Sequence, residues 1–409
     1  MNHTSQAQVL GYEEAAAVMR READGVRTAA GRERVPLREA AGRVLAKAIA
    51  ADRDQPPLPR STRDGYACPA TDLARGPLRV IGQLRAGESW TGGELAPGEA
   101  VEIMTGAPVP AGADCVVMVE HVVLEAGHIS MTGPRELAAG DNIVPAGAEA
   151  HRGDVVIAAG QRMGAAAIAA AGACGAAEVT VFRRPRVAIL ATGDELVEVA
   201  ATPLAHQIRN SNCSSLAVQV RSAGGEPVVF SIVRDERAAT EAAIRVAAVC
   251  DLLVLTGGVS MGKFDFVEDA LQGLEAEFFF TGARIQPGKP VVFGRLPAQY
   301  FLGLPGNPIS TMVTFALFGA PLLRALGGES EGEPRFSLAR VEEEVHVKPG
   351  LTRFLPARLR SDVESSWVRR IPWQGSGDLA AAAQADGFLV VPETAERLAA
   401  GEIASVLEL

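Results

Sequence analysis

The sequence predicts a multidomain chain of the α/β plus β class, with a doubly wound α/β unit lying between two β-rich regions. Three observations carry this expectation. The 409 residues exceed what one ordinary hydrophobic core organises. Between about 181 and 328, apolar strand-like runs take turns with helix-period segments, the pattern of a parallel sheet covered on both faces. On either side, short Val and Ile runs broken by Gly and Pro read as strands joined by tight turns.

Taken in order, the first 27 residues place Tyr12, Ala15, Ala16 and Met19 at helical spacing among charged neighbours, which predicts one amphipathic helix. From about Asp52, Pro56, Pro57 and Pro59 lead into the runs LRVIGQL, EAVEIM and ADCVVMVEHVVL, a strand-rich region reaching about Gly147. GAAAIAAAGACGAA then reads as a close-packed helix of small residues. After Arg183, Arg184 and Pro185 come strand RVAILAT, helix SLAVQVRSAGG, strand EPVVFSIV, helix ERAATEAAIRVAAV, strand DLLVLT and a helix within FVEDALQGL. PVVFG and YFLGL follow as strands, and ISTMVTFALFGAPLLRAL as a long helix. GGESEGEP is a polar linker, after which RVEEEVHV, FLPARLR, GFLVVPE and IASVLEL suggest a small barrel or sandwich.

Apolar residues make up 48% of the chain but aromatics only 5%, so the core must be built from Ala, Val, Leu and Ile, which suits buried parallel strands. The formal net charge of −10 argues against nucleic acid or an anionic membrane as partner, and any site for an anion must be local. Cys68, Cys115, Cys174, Cys213 and Cys250 are scattered and odd in number, which indicates neither a disulfide framework nor a zinc site and fits a reducing cytoplasm. The N-terminal residues lack a basic stretch followed by an apolar one, and no run of about 18 apolar residues occurs, which disfavours secretion and a membrane span.

Ligands of open α/β sheets bind at the carboxyl ends of the strands. Five loops expected at that rim carry polar residues: Gly193, Asp194 and Glu195; Arg234 and Asp235; Gly257, Gly258, Ser260 and Asp265; Gln286, Pro287, Gly288 and Lys289; and Pro305, Gly306, Asn307 and Pro308. Singly, each has a local explanation as a helix cap, a tight turn or a surface lysine. Jointly, acidic residues, one lysine and a glycine nest describe a site for a phosphorylated ligand with a divalent cation. GVSMGK, residues 258–263, also completes much of a phosphate-loop pattern that starts at Gly257. Phe264 stands where a nucleoside triphosphatase needs Ser or Thr to hold Mg²⁺, which counts against that activity. In the first β-rich region, Asp64 before Gly65, and Thr105 before Gly106, are further candidates that turn chemistry alone would also explain.

The motifs STRDGYA, EIMTGAPVPAGADCVV, RRPRVAILATGDEL, TGGVSMGKFDF, IQPGKPVVFG, GLPGNPIS and QGSGDL occur in this order over nearly the whole chain. Together they resemble the molybdopterin molybdenumtransferase family, which includes the enzyme domain of gephyrin. The resemblance implies an elongated homodimer with composite active sites and subunits of four domains. These are 1–27 with 181–328 (molybdopterin-binding), 28–50 with 148–180 (linking), 51–147 (β-rich, inserted) and 329–409 (C-terminal β). It implies insertion of molybdate into adenylated molybdopterin with Mg²⁺-dependent release of AMP, the last step of molybdenum cofactor synthesis. The molybdopterin adenylyltransferase and molybdenum apoenzymes would be partners. Matching positions imply catalytic roles for Asp64, Thr105, Glu195, Asp235, Asp265 and Lys289, with Glu195, Asp235 and Asp265 as metal ligands. Gly257, Gly258, Ser260, Gly288, Pro305, Gly306, Asn307, Pro308 and Ser376 would bind substrate. Asp64 and Thr105 would face the α/β domain of the other subunit. Arg63, Gln286 and Pro356 depart from the family pattern, which bears on the anion-binding half of the site. A non-catalytic pterin-binding or scaffold protein of the same fold is the alternative; it predicts gaps in the carboxylate set, and none occurs.

Overall fold

The computed structural model describes residues 8–26, 31–258, 266–330 and 332–409. Its central sheet has six strands in the order Glu226–Val229, Arg186–Ala191, Leu252–Thr256, Tyr300–Leu304, Val292–Arg295 and Glu277–Phe280. The first four run parallel; the last two are antiparallel to their neighbours. The strand at Glu277–Phe280 was not among the sequence expectations, because EFFF follows directly on a helix with little turn chemistry between them.

Alternation along the central strands sorts the core into two layers. Val187, Ile189, Leu252 and Val254 face one side with helices Tyr12–Val26, Ser211–Ser222 and Pro308–Leu326. Ala188, Leu190, Leu253 and Leu255 face the other side with Arg237–Ala247 and Phe266–Gly273. These strand residues are fully buried, each worth about 1.5–3 kcal/mol relative to exposure for the larger side chains. The doubly wound pattern follows from that: strands apolar at every position must be covered on both faces. Helix Tyr12–Val26 buries Ala15, Ala16, Met19 and Ala23, and Tyr12 packs edge-on against Phe354 of the C-terminal region. Helix Pro308–Leu326 is long and apolar enough to cross a membrane, but it is 89% buried inside the fold and contributes Val313, Phe315, Leu322 and Leu323 to the first core layer.

The first β-rich region is a second six-stranded sheet, in the order Cys115–Met118, Gly65–Cys68, Glu99–Ile103, Leu78–Leu84, His128–Met131, Val122–Glu125. The run ADCVVMVEHVVL therefore supplies both edge strands, divided by a 3₁₀ turn at Val119–His121 whose first N–H is taken by the carbonyl of Asp64. Arg32–Pro36 pairs with Glu178–Phe182, and Ile49–Ala50 with Val155–Ile157, beside the helix Ala165–Ala173. In the C-terminal region, Thr352–Ser361 pairs with both Ser366–Arg370 and Gly387–Val391. Phe336–Val341 and Ile403–Glu408 complete the ring, so this region is a barrel and not a sandwich.

Candidate functional site

A cleft of about 400 Å³ opens at the carboxyl ends of the parallel strands. Its walls include Gly193, Glu195, Asp235, Gly257, Gly258, Pro305, Gly306, Asn307 and Pro308. The parallel register aligns Ala191 with Thr256 and Thr256 with Leu304, so the loops that follow these strands leave the sheet at one level. The strand Val292–Arg295 is antiparallel, with Val292 opposite Gly303, and so the loop that precedes it reaches the same rim through Pro290.

Two carboxylate-bearing loops meet at this rim. Asp194 and Glu195 follow Ala191 by way of Thr192 and Gly193, and the Asp194 backbone nitrogen lies 3.4 Å from Asp235 Oδ2. The Asp235 nitrogen lies 3.5 Å from Asp194 Oδ1, a reciprocal tie between the loops. Partial burial holds the Asp235 carboxyl above its ordinary range, and the charges of Asp194 and Glu195 push it the same way. Asp235 does not cap the following helix, since Glu236 occupies the N-cap position. Its carboxylate, tied to the Asp194 N–H, lines the cleft.

The adjoining part of the lining is backbone. Gly257 and Gly258 have φ of +91° and +62°, and a Cβ on Gly257 would sit 2.4 Å from the Thr192 carbonyl oxygen. Only glycine fits a left-handed residue at such close approach. Asn307 and Pro308 begin the long buried helix, with Pro308 at its first turn. Ser376 meets this turn through its backbone, its carbonyl accepting from Ile309 N–H at 2.9 Å. Gly288 is buried against Thr314. Lys289 is exposed and does not line the cleft; its carbonyl accepts from Ala283 N–H at 3.0 Å. Ser260, Lys263 and Asp265 lie outside the described residues. Among the described residues, no group of three or more His, Cys, Asp or Glu is arranged to hold a metal ion.

Asp64 and Thr105 occupy a different place, on neighbouring loops of the second sheet, and neither lines the cleft. They bond directly: Thr105 N–H donates to Asp64 Oδ1 at 2.7 Å and its hydroxyl to the same oxygen at 2.8 Å. The backbone bond first, and the hydroxyl second, hold the Asp64 carboxyl below its ordinary range.

One buried polar group escaped the sequence expectations. Asn212 Nδ2 donates to Thr256 Oγ1 at 2.9 Å and to the Gly306 carbonyl at 2.8 Å, linking two walls of the cleft. Its signal was present: Asn212, Leu216 and Val220 follow at helical spacing on the buried stripe of Ser211–Ser222, and a polar residue on such a stripe needs partners. Asn210, whose side chain accepts from Cys213 N–H, marks the true start of that helix, earlier than SLAVQV suggests.

Comparison with known proteins places this geometry. Residues 10–175 match the family model "MoeA N-terminal region (domain I and II)", 188–325 match "Probable molybdopterin binding domain", and 339–409 match "MoeA C-terminal region (domain IV)". The chain is 35% identical to the molybdopterin molybdenumtransferase of Nostoc sp. (strain PCC 7120), over 92% of this chain and 88% of that protein. To the protein of that name from Bacillus subtilis (strain 168) it is 33% identical, over 92% and 89%. The crystal structure of the molybdopterin biosynthesis moeA protein from Pyrococcus horikoshii OT3 superposes with a TM-score of 0.80 at 27% identity, covering 98% of this chain and 100% of that one.

Proposed function

Because this chain belongs to the molybdopterin molybdenumtransferase family, we propose that its cleft binds adenylated molybdopterin, releases AMP with Mg²⁺ bound and passes molybdate to the pterin dithiolene. The observation that carries this reading is the make-up of the cleft lining, which brings Glu195 and Asp235 together with the Gly257–Gly258 and Pro305–Pro308 turns. A phosphoanhydride needs a cation and backbone donors together, and the lining suits both needs.

The donor set fits a hard cation. Carboxylate oxygens are the ligands Mg²⁺ takes, and a cation would favour the charged form of Asp235, which burial first, and the charges of Asp194 and Glu195 after it, disfavour. Glu195, Asp235 and Asp265 would hold Mg²⁺, which when bound offsets phosphate charge as the anhydride is cleaved. Gly258, Gly306 and Asn307 offer backbone N–H groups to phosphate oxygens, Gly257 sets the turn with its own N–H held by the Leu304 carbonyl, and Ser260, two residues on, and Gly288 would add to substrate binding. Pro305 and Pro308 stiffen the second turn, and Ser376 braces it through its carbonyl. Lys289, exposed and one residue before Pro290 of the cleft lining, would offset phosphate charge from beside the cleft. Water attack on phosphorus breaks the P–O–P anhydride, AMP departs as the leaving group, and the water proton passes to solvent.

In this reading the subunit is organised as 1–27 with 181–328, 28–50 with 148–180, 51–147 and 329–409. The turn of Asp64 and Thr105 completes the cleft of the other subunit in a homodimer. Incubation of the protein with adenylated molybdopterin, Mg²⁺ and molybdate should release AMP and activate a molybdenum apoenzyme. Intact adenylated molybdopterin at the end of that incubation would reject the reading.

A further inference from the structure

We infer that Asn212 is a positioning residue: from inside the fold it turns the Gly306–Asn307 backbone so that its N–H faces the cleft. The inference rests on the cleft being the substrate site proposed above. Asn212 is buried, at 9% exposure, in the first turn of Ser211–Ser222 and touches the reaction only through the groups it holds. Its amide donates to Thr256, the residue just before Gly257, and to the carbonyl of Gly306. The neighbouring carbonyl, that of Pro305, is held from the same buried side by the hydroxyls of Thr256 at 3.3 Å and Thr311 at 2.6 Å.

A trans peptide unit is planar, and its C=O and N–H point in opposite directions. Holding the Pro305 and Gly306 carbonyls inward therefore aims the N–H groups of Gly306 and Asn307 outward. Both residues are exposed and line the cleft, and neither N–H has a hydrogen-bond partner among the described residues. Two adjacent outward N–H groups offer two donors to one anion. The two turns also touch: a Cβ on Gly306 would lie 3.7 Å from Gly257 Cα, and Gly257 N–H donates to Leu304 carbonyl at 3.2 Å. Asn212 thus sets the orientation of one turn and its separation from the other. The amide is needed in this sense, because a carbonyl oxygen turned toward Gly306 would face another acceptor.

Two substitutions test this. Asn212→Leu removes both donors at similar volume; Asn212→Asp leaves an acceptor for the Thr256 hydroxyl and removes the bond to Gly306. Hydrogen exchange on the protein alone reads how firmly the backbone around the turn is held. Protection of the Ile309 and Thr311 N–H groups, which are bonded to the carbonyls of Ser376 and Asn307 at the end of this turn, should fall about tenfold in both variants, and that of 252–258 in Asn212→Leu only. In turnover, KM for adenylated molybdopterin should rise on the order of tenfold with kcat changed far less, the mark of lost substrate binding. Unchanged exchange at Ile309 and Thr311 in Asn212→Asp, or a kcat loss with KM unchanged, would overturn the positioning role. Should Asn212→Leu not fold, Asn212→Asp carries both readouts. Absence of AMP release by the wild type would instead reject the proposed function, while the exchange data would still decide what Asn212 holds.

Discussion

Asp235 and Asp64 are both exposed-side carboxylates at the ends of strands, yet their surroundings treat them in opposite ways. Asp64 accepts two hydrogen bonds from Thr105, and its carboxyl is held low. Asp235 is half-buried beside Asp194 and Glu195, and its carboxyl is held high. The first turn satisfies its own charge; the second accumulates charge that its surroundings do not neutralise. A local Asp–Thr motif can form wherever two loops of one sheet meet, whereas a carboxylate shifted by burial and by neighbouring like charges in a cleft is a pattern enriched at functional sites.

The largest expected effect is at Asp235. Asp235→Asn should lower AMP release at least about a hundredfold, as loss of a single electrostatic group commonly does. The same change should raise the melting temperature slightly near pH 7 without Mg²⁺. The sign follows from linkage: a carboxyl whose folded pKa is raised loses folding stability as pH climbs from the ordinary carboxylate range through the folded value. The two melting curves should therefore converge in acid. Added Mg²⁺ should raise the wild-type melting temperature and leave Asp235→Asn nearly unmoved. A variant that melts well below wild type at pH 7 would show that Asp235 is structural and erase the contrast with Asp64.

Next in size is complementation. Asp64→Ala and Asp235→Ala subunits, each inactive alone, should recover activity on mixing, since a mixed dimer holds one site with both residues intact. Demonstrated subunit exchange with no recovery would place both carboxylates in the service of one subunit.

Gly257→Ala should cost about 1–3 kcal/mol through the left-handed backbone alone, and more through its approach to the Thr192 carbonyl. Denaturant unfolding reads this. A loss under about 0.5 kcal/mol would mean that the rim is looser than its geometry indicates.

The smallest effect belongs to Thr105→Val, which deletes the hydroxyl donor but keeps the stronger backbone one. The Asp64 titration, followed by NMR, should move upward and remain below the ordinary carboxylate range. A depressed carboxyl stabilises the fold above that range and loses its contribution as pH falls through the folded value, so any melting difference should vanish in acid. A titration that stays in place would assign the low value to something other than Thr105.

Much of this protein follows from local pattern. The amphipathic first helix, the alternation from Arg186 to Leu326 and the glycines at 257 and 258 were legible because period, length and turn chemistry are properties of neighbouring residues. The polar rim loops could be named for the same reason: each follows an apolar run whose end the sequence marks. Pairings between distant segments were not legible. The antiparallel strand Glu277–Phe280, the split of ADCVVMVEHVVL into two edges and closure of the C-terminal barrel depend on which strands find each other across long loops. The bond of Thr105 to Asp64 spans 41 residues, and the reach of Asn212 to Gly306 spans 94. Sequence by itself determined which residues carry charge, which turns require glycine and which faces must be buried, since these are set by side-chain chemistry and short-range sterics. Only the tertiary structure decided that Asp64 is satisfied while Asp235 is crowded, because a carboxylate's proton affinity depends on donors, charges and burial brought to it by other parts of the chain.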